Sequence, residues 1–94
     1  MGDSKYDDVI IKQIKSYIRA RVLLQDSLLA LDIAWQEQVK HSLLSVEVCL
    51  EKATKDYYAG RLVSTRQWID DAKSYLAKGL ADYAEALEEH NANK

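Results

Sequence analysis

Residues 22–35 read VLLQDSLLALDIAW, and the fold depends on whether a helix runs through them or turns inside them. The stretch is the most apolar in the chain, yet Gln25, Asp26, Ser27 and Asp32 interrupt it. Upstream, Ile10, Ile14, Tyr17, Arg21, Leu24 and Leu28 recur at steps of three and four. The rhythm continues through Leu31 and Trp35 toward Val39. Such spacing marks one face of an α-helix. Read without a break, residues 5–59 form one helix of roughly 80 Å at 1.5 Å per residue. Helices of that length belong to coiled coils. A turn near residues 30–34, with Asp32 as its cap, instead yields an antiparallel three-helix bundle. The bundle is the preferred reading, and a long helical hairpin completed by dimerisation is the alternative. Two successive steps of four, Trp35 to Val39 to Leu43, mark a phase change that a break or a coiled-coil stutter would produce.

The next segment is clearer. Val39, Leu43, Val46, Leu50, Ala53 and Tyr57 form a heptad-like seam that needs a partner helix. It stops at Gly60, a residue suited to the left-handed position after a helix end. Ser64 and Gln67 then have the spacing of a capping box, with Val63 and Trp68 as its hydrophobic staple. A short link of this kind joins antiparallel neighbours. The third helix carries Trp68, Ile69, Ala72, Tyr75, Leu76, Gly79, Leu80, Tyr83, Ala84 and Leu87 on one broad stripe and is expected to fray beyond Leu87. At the other end, Ser4 and Asp7 suggest a weaker cap for the first helix.

Composition agrees with an all-α domain spanning residues 1–94. The chain has no proline and only three glycines; 48% of its residues are hydrophobic and 30% charged. Turn-rich β folds draw heavily on Gly, Pro and Asn. The formal charge of −2 supplies no general attraction to nucleic acid or anionic lipid. Cys49 is the single cysteine, so no intrachain disulfide forms; its apolar neighbours Val46, Val48 and Leu50 suit a thiol used as a small hydrophobe. No apolar run has the length of a membrane span, and the first residues do not have the pattern of a secretory signal. The expected location is cytoplasmic.

No phosphate loop, nucleophile elbow or zinc spacing occurs. His41 and His90 are too far apart in sequence to form a local metal pair. The reading is therefore a non-enzymatic protein with no cofactor, no metal, no catalytic residue and no evident small-molecule substrate. Glu47, Glu51 and Lys55 form an ordinary exposed ladder at helical spacing. Candidate contacts for a protein partner are Lys12, Lys15 and Arg19, which share a helix face, and Arg21, a charge set within the apolar seam. Tyr58, Arg61 and Arg66 join them at the second corner. The first helix also carries a second apolar row, Ile11, Ile18, Val22 and Leu29, beside the first. Two rows call for two neighbours, which favours partner binding or a homodimer. The expected function is a small helical interaction module: an adaptor, inhibitor, chaperone-like regulator or assembly subunit. Nucleic-acid association through Lys12, Lys15 and Arg19 is the alternative.

In length and expected hairpin architecture the chain resembles the small WXG-type secreted proteins. The turn at Tyr58-Ala59-Gly60 has no Trp-x-Gly motif, and Leu87 follows Tyr83 where their tail signal has an acidic residue. The resemblance is one of architecture and implies no secretion function.

Overall fold

The computed structural model describes the backbone of residues 2–92 and the side chains of residues 9–92. It is an all-α structure with helices α1 (Gly2–Ser27), α2 (Ile33–Tyr58) and α3 (Leu62–Ala92). A single 3₁₀ turn, Leu28–Ala30, follows α1. No strand occurs among the described residues. The helices form an elongated antiparallel bundle, 56 × 18 × 16 Å. The suggested cap at Ser4 and Asp7 lies outside the described side chains.

The chain does turn inside the apolar stretch. The Leu31 amide donates to the Leu28 carbonyl at 2.9 Å, closing the 3₁₀ turn. Leu31 and Asp32 then take extended backbone, with ψ of 162° and 152°. Asp32 holds the N-cap position of α2, but its side chain makes no capping bond. Gln36 braces the corner instead, its Nε2 donating to the Leu31 carbonyl at 2.7 Å. Leu28 and Leu31 are drawn into the core while Leu29 and Ile33 point to solvent. Burial of Leu28 and Leu31 favours the turn, at about 1.5–3 kcal/mol for each fully buried leucine.

The second corner is built differently. Gly60 has φ of +80°, the left-handed conformation expected of it. The Arg61 amide donates to the Asp56 carbonyl at 2.9 Å and the Gly60 amide to the Tyr57 carbonyl at 3.1 Å. Together these bonds make a complete Schellman motif, which satisfies carbonyls left over at the helix end. The expected Ser64–Gln67 cap is not formed. Helix α3 already begins at Leu62, and the Arg61 carbonyl accepts the Thr65 amide at 2.9 Å. Ser64 thus lies inside the helix, where its hydroxyl donates to Asp56 Oδ2. Val63 is exposed, so it forms no staple with Trp68. The physical reason is Asp56, which binds both Arg61 and Ser64 and lets α3 start at Leu62, two residues after the glycine.

The seam of α2 is buried from Val39 through Leu43, Val46 and Leu50 to Ala53, and its last member, Tyr57, is half-buried. Gly79 marks the point where the three helices converge. A Cβ placed there would lie 3.5 Å from Ser42 Cβ, 3.6 Å from Leu24 Cδ2 and 3.9 Å from Val39 Cγ1. A second buried cluster, Ile10, Ile14, Ala53 and Ile69, ties the N-terminal half of α1 to the Gly60 end of the bundle. At the opposite end, Trp35 Nε1 donates to Glu89 Oε2 at 3.1 Å. Helix α3 continues to Ala92, past the fraying point expected after Leu87. Among the described residues, no helix is long and apolar enough to cross a membrane.

Candidate protein-interaction surface

Helix α1 buries its first apolar row and leaves most of the second outside. Ile10, Ile14, Leu24 and Leu28 are buried, whereas Ile18, Val22 and Leu29 are exposed and Ile11 is half-buried. Lys12, Lys15 and Arg19 are exposed on the same helix. Arg21 is half-buried, and its Nη1 donates to Gln25 Oε1 at 3.0 Å. It lines a groove of about 400 Å³ between α1 and α2, with Glu47 and Glu51 on the other wall. The Arg21 stem thus follows the seam while its charged head reaches the rim, as long cationic side chains do.

The Gly60 corner collects the other candidates. Tyr58 is exposed and meets the half-buried Tyr57 edge-on, with ring centroids 5.3 Å apart. Arg66 is exposed. Arg61 is exposed too, but its Nε donates to Asp56 Oδ1 at 3.2 Å, so its head is held at the corner. Asp56 is kept below the ordinary carboxylate pKa, chiefly by the Ser64 hydroxyl and then by Arg61, with Trp68 adding to the effect; partial burial opposes the shift. Hydrogen bonds to the ionised form favour that form.

A further surface escapes the sequence reading. On the side of the bundle away from α1, helices α2 and α3 leave an open groove of about 320 Å³. His41, Leu44, Ser45, Val48 and Cys49 line it from α2, and Trp68 and Tyr75 from α3. Leu44, Val48 and Tyr75 are 60%, 47% and 42% exposed. Lys52 Nζ sits 4.6 Å from the centre of the Trp68 ring, a cation–π contact at one end of the groove. The Cys49 thiol is buried at the floor; burial pushes its pKa up, Asp71 adds to that, and Lys52 partly offsets it. It is a packed thiol with little thiolate character. The sequence signal for this groove was the pair Leu44 and Val48, four residues apart and off the seam. No group of three or more His, Cys, Asp or Glu side chains among the described residues is placed to hold a metal ion.

Comparison with protein-family models, with characterised proteins and with solved structures gave no match to this chain.

Proposed function

We propose that the chain is a small helical protein-interaction module that receives one amphipathic helix of a partner protein in the α2–α3 groove. The carrying observation is the cluster of Leu44, Val48 and Tyr75 around Trp68, left open on the side that α1 does not cover. Contiguous exposed apolar side chains mark interaction sites, and Tyr and Trp are preferred anchors within them. A helix laid along two parallel walls repeats on one side what α1 does on the other, giving a four-helix arrangement. Lys52 at the end of the groove supplies a charge that orients the arriving helix. Such a groove suits the role of an adaptor, inhibitor, chaperone-like regulator or assembly subunit. The reading places the protein in the cytoplasm, where a lone thiol such as Cys49 stays reduced.

Photo-crosslinking tests it. A photoreactive residue at position 75 should capture a partner, and Leu44→Glu should abolish that capture. The same label at position 23, on the exposed outer side of α1, should capture none. Equal yields at both positions, or a yield unaffected by Leu44→Glu, would refute the groove.

A second reading, association with nucleic acid, rests on the exposed Lys12, Lys15 and Arg19 of α1. It requires binding that weakens steeply with salt and a shallower salt dependence after the three are neutralised.

A further inference from the structure

We infer that the α1–α2 corner is a hinge, and that on opening it lets α1 exchange between two copies of this chain. The exchanged form is a dimer in which each α1 packs on the α2–α3 pair of the other copy. The inference does not depend on the α2–α3 groove.

The two corners of the bundle differ in what holds them. The Gly60 corner has a left-handed glycine, both Schellman bonds, and Asp56 bound to Arg61 and Ser64. The corner at Leu31 and Asp32 has none of these. Neither residue has positive φ, and no glycine or proline lies between residues 28 and 36. The first four amides of a helix have no partner inside it, and the Asp32 side chain caps none of those of α2. Straightening the corner would supply each with a carbonyl four residues earlier. The intervening residues, largely Leu and Ala, are good helix formers. The apolar rhythm Leu24, Leu28, Leu31, Trp35 already runs across the corner in helical phase.

Exchange keeps the interior contacts of α1. Ile10, Ile14 and Leu24 meet the same residues, now on the other copy, which is why domain swapping is an inexpensive route to a dimer. What is new lies at the hinge. Leu29 and Ile33 are 81% and 76% exposed, the two most exposed aliphatic side chains among the described residues. In a continuous helix they stand four apart on one face. Two straightened segments crossing at a two-fold axis would bring both pairs together. The second copy is therefore the occupant that covers them.

Refolding the full chain from denaturant at millimolar and at micromolar concentration, followed by light scattering on a sizing column, tests the inference. A dimer should form at the higher concentration, and Asp32→Ala should increase it. Ile33→Pro is the discriminating variant. Ile33 is the first residue of α2, where proline fits, and Asp32 before it is already extended. In a straightened helix the same proline is interior. It should weaken the dimer on the order of ten-thousandfold, about a hundredfold for each of two hinges, while the monomer keeps its helical content. Exchange is read directly by adding Ile14→Cys and Ala53→Cys to Cys49→Ala, since Ile14 and Ala53 share one buried cluster. Oxidation of the dimer should link two chains covalently. A chain that stays monomeric at millimolar concentration with and without Asp32→Ala would overturn the inference. So would a dimer that Ile33→Pro leaves intact, or one whose disulfide closes within each chain.

Discussion

Asp56 holds Arg61 twice: its carbonyl accepts the Arg61 amide at 2.9 Å, and its carboxylate accepts Arg61 Nε at 3.2 Å. The second carboxylate oxygen accepts the Ser64 hydroxyl. One side chain thus joins the last turn of α2 to the first turn of α3.

That arrangement sets a pH dependence. The folded chain lowers the Asp56 pKa, mainly through Ser64 and then Arg61, so the stabilisation is fully present above the unfolded carboxylate value of about 4. It disappears as pH falls through the lowered folded value. Urea midpoints of the wild type and Asp56→Ala should differ at neutral pH and converge in acid. A gap that persists unchanged in acid would show that the carboxylate charge is not its source.

Gly60 at its corner and Gly79 in the core should respond oppositely to alanine. Gly60 has φ of +80° with nothing within 4 Å of an added Cβ, so Gly60→Ala costs only the backbone term, about 1–2 kcal/mol. Gly79 lies inside a helix, and its added Cβ would make ordinary contacts no closer than 3.5 Å. Gly79→Ala should therefore stabilise, by up to about 1 kcal/mol. Chemical denaturation of both variants checks the pair of signs.

Neighbouring leucines at the hinge should differ as sharply. Leu28 is buried and Leu29 exposed. Leu28→Ala should cost about 2–5 kcal/mol by leaving a cavity. Leu29→Ala in the monomer should stay within about 0.5 kcal/mol. Equal effects in thermal or urea unfolding at micromolar concentration would contradict the turn at residues 28–32.

Cys49 should be a slow thiol. Its burial and the neighbouring Asp71 raise its pKa, so at mildly alkaline pH the native chain carries less thiolate than free cysteine does. A disulfide reagent should modify the folded protein far more slowly than the urea-unfolded chain. Matching rates would place the thiol outside the core.

The parts of this fold that could be read from sequence are those governed by one local cause. The α2 seam is visible because its members from Val39 to Ala53 all face the interior, and Gly60 because only glycine takes that backbone cheaply. The turn at Asp32 shows only as polar interruptions of an apolar stretch whose helical rhythm runs on across it. Ser64 misled because its capping motif is local whereas its actual partner, Asp56, lies across the corner. The groove of Leu44, Val48, Trp68 and Tyr75 was hidden for a related reason. The off-seam pair Leu44 and Val48 is a sequence signal, but which flank of a helix pair stays open depends on where α1 settles. The second row of α1 shows the same limit: its spacing is evident, but only the packed structure leaves Ile18, Val22 and Leu29 outside.

The two tryptophans sit toward opposite ends of the bundle, Trp35 bonded to Glu89 and Trp68 beneath Lys52. Each is an optical gauge for its own end. Replacing one with phenylalanine leaves a single tryptophan, so tryptophan fluorescence can follow the loosening of either end on its own clock.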